Sequence, residues 1–138
     1  MGKHGMLTSA GLLCLRVTFG LLMLVHGWQK LSGFGEMADK FPDPLGLGRQ
    51  LGLILAIAAE FGCSLLLIFG LGTRLAAIPL AFTMFVAAFV VHAADPWQKK
   101  ELAVAYLAVY VALMLTGPGQ FSLDNFVWKK RKSAKSTQ

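Results

Sequence analysis

The stretch "LAAIPLAFTMFVAAFVV", Leu75 to Val91, holds no charged residue and lacks the strict alternation of apolar and polar side chains that a barrel strand needs. At about 1.5 Å per residue it covers most of a hydrocarbon core about 30 Å thick, so it reads as a membrane-spanning helix. Outward from it the signature recurs, over roughly Thr8 to Leu31, Gln50 to Phe69 and a last run that ends at Thr116 and reaches back to Trp97. With Leu75 to His92 these are four expected spans. Composition agrees: 56% hydrophobic residues, 14% charged ones and a mean hydropathy of +0.62 lie outside the soluble range. The expected fold is all-α, an integral membrane four-helix antiparallel bundle in one domain over residues 1–128, followed by a basic tail over 129–138.

The first run is expected to be retained and not cleaved as a signal peptide, because Arg16 interrupts it and no A-x-A site follows His26. Cys14 and Cys63 both fall inside spans, which implies inert packing thiols and no disulfide framework. An even number of spans puts both termini on one side of the membrane. Lys3, Arg74, Lys129, Lys130, Arg131, Lys132 and Lys135 then outnumber Lys30, Lys40, Arg49, Lys99 and Lys100 on the other side, so both termini are expected in the cytoplasm. The tail "WKKRKSAKSTQ" reads as a topology and anionic-lipid anchor. Nothing else in the chain resembles a nucleic-acid fold, and no nucleic-acid partner is expected.

The connections carry stop and cap signals. "GLGTR", Gly70 to Arg74, is a tight turn with Thr73 as cap of the third span; "ADPWQKKE" offers Asp95 as N-cap with Pro96 at the first helical position. Residues 32–49, with a Pro-Asp-Pro stop, are too long for a simple hairpin and are expected to hold one interfacial turn over the bundle mouth. At "GPGQFSLD", Gly117 and Pro118 stop the last span, and Ser122 and Asp124 cap a short turn. Gly20, Gly27, Gly52 and Gly62 are expected to let backbones approach.

Ionisable groups inside the membrane are costly, so they should face the interior with partners. Depth counted from the middle of the first connection puts Glu60 about four residues, roughly 6 Å, from the level of Arg16, and predicts that the two pair. A second layer, His26, Lys30, His92 and Glu101, belongs near the outer mouth, with Trp28 at the interface. Along the first span Arg16, Gly20, Gly27 and Lys30 follow helical steps, and His26 lies within about 80° of Arg16, which draws one inward polar stripe.

Arg16 with Gly20, "HGWQKLSGF" at His26 to Phe34, "AAEFG" at Ala58 to Gly62, "FGLGTRLAA" at Phe69 to Ala77, "VVHA" at Val90 to Ala93, "KKELA" at Lys99 to Ala103 and "GPGQFSLD" together resemble the DoxX family of small bacterial four-span membrane proteins. The set runs in order over nearly the whole chain. The resemblance implies a bacterial inner-membrane location and a subunit of a quinone-linked oxidoreductase complex in sulfur or oxidative-stress metabolism, after the thiosulfate:quinone oxidoreductase for which the family is named. It equally allows a non-enzymatic scaffold that recruits a peripheral redox enzyme, since the fold also serves accessory proteins. In the redox reading Arg16, Glu60, His26 and His92 carry protons, while Lys30, Glu101 and Trp28 surround a quinone headgroup. Expected partners are the lipid bilayer and a partner subunit or second copy. No metal is expected, because His26 and His92 stand on separate helices without an i, i+3 or i, i+4 ligand. The glycine-rich stretches lack a phosphate-binding pattern.

Overall fold

A computed structural model describes residues 5–43 and 45–136 of the 138-residue chain. The expectations that rest on Lys3, on Pro44 of the Pro-Asp-Pro stop and on the last two tail residues lie outside the described residues. All described regular structure is helical. The helices are α1 (Met6–Ser32), α2 (Phe34–Met37), α3 (Arg49–Phe69), α4 (Thr73–Val91), α5 (Trp97–Thr116) and α6 (Leu123–Ser136).

Helices α1, α3 and α4 are each long and apolar enough to cross a membrane. The fourth expected span, α5, has the expected bounds but carries Lys99, Lys100 and Glu101 near its start, so its uncharged part begins only at Leu102. Large side chains such as Val25, Ile54, Phe82 and Leu102 point outward at about half exposure, the arrangement of helices whose outer face meets lipid. Inside, Met23 of α1, Leu67 of α3, Leu80 and Met84 of α4, and Tyr106, Tyr110 and Leu113 of α5 form one apolar core.

Two contacts set the register of α1 on α3. A Cβ on Gly27 would lie 2.6 Å from the backbone nitrogen of Phe61, and one on Gly20 would lie 2.6 Å from Cγ1 of Ile68. At Gly27 backbone therefore meets backbone, and at Gly20 the Ile68 side chain fills the space that glycine leaves. Gly52 and Gly62, expected to do the same, do not, since a Cβ there meets only ordinary contacts or open space. This register puts Glu60 level with Gly27. Arg16, eleven residues back along α1, is then about 16 Å away. The expected depth match between Arg16 and Glu60 is overturned: the long connection over residues 33–48 enters far off the symmetric midpoint that the count assumed.

Both α3 and α4 contain a π-helical turn, at Ala58–Cys63 and Ala87–Val91. Such turns insert one residue into the i to i−4 ladder and re-aim the side chains around it. The connections also differ from expectation. Thr73 does not cap α4; the Asp124 carboxylate does, accepting from the backbone N–H of Gly72 at 2.7 Å and of Thr73 at 3.0 Å. Asp95 does not cap α5, whose first residue is Trp97 with Pro96 before it, because its carboxylate is held by His92. The last segment is no short turn. The boundary expected at residue 128 falls inside the continuous helix α6, which Ser122 starts by accepting the N–H of Asn125 at 3.1 Å.

Candidate functional site

The two ends of the helix assembly hold different polar arrangements. At the end formed by the α3–α4 turn, Arg16 is fully buried. Its guanidinium donates to the carbonyls of Leu67 (3.2 Å) and Ile68 (3.5 Å) at the C-terminus of α3, and to Phe121 O in the segment before α6. A cation on the last carbonyls of a helix satisfies groups that have no intrahelical partner and meets the negative end of the dipole. Gly70 makes room for it: its φ of +70° is left-handed, and a Cβ there would strike Arg16 Nη1. Around this core, Gln120 N–H donates to Ser9 Oγ (3.1 Å), Asn125 Nδ2 to Gln120 O (2.9 Å) and Asp124 N–H to Gly70 O (2.9 Å). Arg16 is spent on closing this end.

At the opposite end Lys30 Nζ sits 2.8 Å from Glu60 Oε1, the lysine side chain 21% exposed and the glutamate 4%. Glu60 reaches the interior because the first π-helical turn carries it there, with the backbone of α1 pressed against it at Gly27. The pair stands in the wall of a cavity of about 470 Å³ between α3 and α4. Leu55, Ala59, Phe82, Val86 and Val91 make most of that wall apolar, and His92 completes it. Both π-helical turns contribute residues to the lining, Ala59 and Glu60 from the first, Ala87 and Val91 from the second. Pro79 lines it too, and Thr83 Oγ1 donates back to the Pro79 carbonyl at 2.7 Å.

The connection after α2 closes over the opening, where Phe41, Asp43, Leu45 and Leu47 add lining atoms. Asp43 Oδ1 accepts from Gly48 N–H at 3.1 Å, and Arg49 Nη1 donates to Asp39 O at 2.6 Å, so the loop is folded on itself. His92 Nδ1 donates to Asp95 Oδ2 at 2.7 Å at the edge of the cavity. That hydrogen bond, aided by the nearby Lys99 and Lys100, holds the Asp95 carboxyl below the usual carboxylate range.

Of the residues singled out in the sequence, Lys30, Glu60 and His92 thus share one cavity. Arg16 does not belong to it, and its expected pairing with Glu60 is replaced by backbone carbonyls for the one and Lys30 for the other. His26, one turn before Lys30 on α1, does not line the cavity; its ring is edge-on to Tyr106 of α5 at 6.2 Å between centroids. Trp28 is 57% exposed, with its ring 6.4 Å from Phe61. Glu101 is exposed at the start of α5. Sequence reasoning missed Tyr106 and Tyr110, which stack at 6.0 Å in the core, Tyr110 donating its hydroxyl to Phe19 O at 3.2 Å. Tyrosines buried in an apolar span were the available signal, since a phenol there needs a partner.

The DoxX family model matches residues 11–93, from α1 through the π-helical turn of α4 to the residue after His92. The chain belongs to the DoxX family. Among its relatives, "Putative oxidoreductase CatD" of Bacillus subtilis (strain 168) is 33% identical over 124 residues, 89% of this chain and 91% of that protein. "Inner membrane protein YqjF" of Escherichia coli (strain K12) is 29% identical over 130 residues, 90% of this chain and 97% of the relative. "Inner membrane protein YphA" of the same organism is 27% identical over 126 residues, 82% and 87% of the two chains. No solved structure matches the chain. As a DoxX protein with three helices fit to span a bilayer, this is a membrane protein.

Proposed function

We propose that this DoxX protein is a quinone-binding subunit of an inner-membrane oxidoreductase complex, with its site in the cavity between α3 and α4. The observation that carries the reading is an apolar cavity with a lysine–glutamate pair in its wall, the glutamate nearly buried. A volume of about 470 Å³ suits a small ring with part of a tail, within the range of about 300 to 1,000 Å³ typical of ligand sites. The exposed Leu55 and Phe82 on its rim give a hydrophobic tail a way out toward lipid.

The residues fit such a ligand. Lys30 spends one N–H on Glu60 and keeps two for an acceptor such as a ring carbonyl. Glu60 holds the ammonium in place and can take up or release a proton at a carboxylate oxygen. His92, tied through Nδ1 to Asp95, presents its other ring nitrogen at the cavity edge, where a proton can pass to water. A bound quinone supplies two-electron, two-proton acceptor chemistry. This chain's groups handle protons; the electrons must come from a redox partner subunit. The name of one relative, "Putative oxidoreductase CatD", supports the same class.

The reading includes α5 as a fourth span, which gives an antiparallel four-helix bundle. The Ser9 to Gln120 hydrogen bond holds the start of α1 and the root of α6 at one end of the molecule, and the cations of α6 favour the cytoplasmic side for it.

The test is quinone retained by the purified protein in nanodiscs, read by native mass spectrometry with a soluble quinone analogue added back. Wild type should bind, and Lys30→Gln and Glu60→Gln should each lose about tenfold or more in affinity, while Glu101→Gln matches wild type. Equal binding by all four proteins, or none by wild type, would remove the site and leave a non-enzymatic scaffold for a peripheral redox enzyme as the better account.

A further inference from the structure

The helix α6 carries Lys129, Lys130, Arg131, Lys132 and Lys135 within Leu123–Ser136, all of them exposed. A solvated basic tail would have no other feature, but this helix has two. Its position is fixed at the level of a membrane surface. Asp124 is bonded to the turn between α3 and α4, two helices that each can cross the bilayer, so the root of α6 lies where those spans leave the lipid. The Arg16 to Phe121 bond and the Asn125 side chain, itself 4% exposed, hold the same root.

Its apolar residues, moreover, face away from the protein. At 100° per residue Leu123, Phe126 and Val127 share a stripe over the first turns of α6 that Lys130 continues, opposite Asp124 and Asn125, which grip the helix assembly. Those three side chains are 44, 64 and 41% exposed. Trp128, 42% exposed, lies under the Lys132 ammonium at 5.2 Å from the ring centre. Water is a poor environment for such a stripe, whereas the boundary of headgroups and acyl chains takes the apolar groups and the snorkelling cations together.

We propose that α6 lies along the lipid headgroup layer beside the α3–α4 turn and binds anionic lipid through its five cations. Charge complementarity selects the lipid: clustered Lys and Arg next to a spanning helix attract anionic headgroups within a Debye length, about 8 to 10 Å at ordinary salt. The inference needs only the position of α6 at a membrane surface, and it stands or falls separately from the quinone site.

The experiment uses the full chain with Trp28→Phe and Trp97→Phe, both exposed positions, so that Trp128 reports alone. Nanodiscs contain phosphatidylcholine and phosphatidylglycerol, with one or the other brominated on its acyl chains as a quencher. Brominated phosphatidylglycerol should quench Trp128 severalfold more than brominated phosphatidylcholine at equal content. High salt should abolish the excess, as should replacement of the five cations by glutamine. Equal quenching by the two lipids overturns anionic selectivity, and absence of quenching by both overturns docking on the membrane. A selective quench that survives the glutamine replacements also overturns the proposal, because the cations would then not be the binding groups. Protection of Trp128 only when a protein partner is present would assign the helix to that partner instead.

Discussion

Arg16 and Lys30 stand on the same helix, both long cations of an apolar assembly, and the two ends they occupy hold them in different ways. Arg16 is fully buried and donates from Nη1 and Nη2 to three backbone carbonyls, two at a helix terminus and one in the segment that returns to it. Lys30 is partly exposed, gives one hydrogen to a side-chain carboxylate and faces an open cavity. Backbone carbonyls cannot move or change charge, so the first arrangement can only hold. A carboxylate can do both. The difference teaches that a charge inside a membrane protein is to be judged by what it bonds, and its mere presence at depth decides little.

The sharpest way to break this comparison is to remove each cation in turn. Arg16→Ala should cost about 3 to 5 kcal/mol, because it leaves buried carbonyls and the Asp124 side without their cation and opens a hole beside Gly70. Lys30→Ala should cost about 1 to 2 kcal/mol, since Glu60 can then be neutralised by a proton or reached by water from the cavity. Thermal unfolding in a mild detergent, followed by tryptophan fluorescence, measures both. If Lys30→Ala proves as damaging as Arg16→Ala, the division into a holding end and a cavity end fails.

A smaller change sharpens the geometry of the cavity end. Gly27→Ala puts a Cβ against the backbone of Phe61, which has no rotamer to escape into, and should destabilise by about 1 to 3 kcal/mol while pushing Glu60 away from Lys30. Gly62→Ala, two residues from Glu60, meets nothing within 4 Å and should stay within about 1 kcal/mol of wild type. The same melting experiment separates them, and similar losses for both would mean that close approach of α1 and α3 is not what positions the pair.

Much of this was legible in the sequence. The bounds of the helices came close to expectation because unbroken apolar runs and Pro and Gly stops are local signals: Trp97–Thr116 has the bounds expected of it, and Thr73–Val91 begins after the "GLG" turn. Residues Lys30, Glu60 and His92 were candidates on cost alone. What the sequence did not reveal was their partners, for two physical reasons. Register between α1 and α3 depends on where two glycines let the helices approach, so counting from the middle of a long, asymmetric connection misplaced Glu60 by about two turns. And the π-helical turns, the first of which aims Glu60 inward, leave no mark in periodicity, since one inserted residue rotates a face by about 100° within an already apolar run. The role of Asp124 was missed for a related reason. A cap supplied by another segment, more than fifty residues away in the chain, cannot be found by looking for it next to the helix it caps.

The weakest tie at the cavity end gives the smallest predicted effect, and its sign can be worked out. The His92 hydrogen bond holds the Asp95 carboxyl below its ordinary value of 3.8, with Lys99 and Lys100 adding to the shift. A carboxyl depressed in the fold is ionised there more readily than in the unfolded chain, so its contribution is full above the ordinary value and disappears as pH falls through the depressed one. Wild type should therefore lose a small increment of stability on acidification below about pH 4 that Asp95→Asn does not lose, and above that range the variant should melt slightly lower. Because the pair is exposed to solvent, high salt should shrink the difference further. Melting curves of both proteins across this pH range, at low and high salt, measure it; parallel profiles would show that the His92 to Asp95 contact does not hold the edge of the cavity.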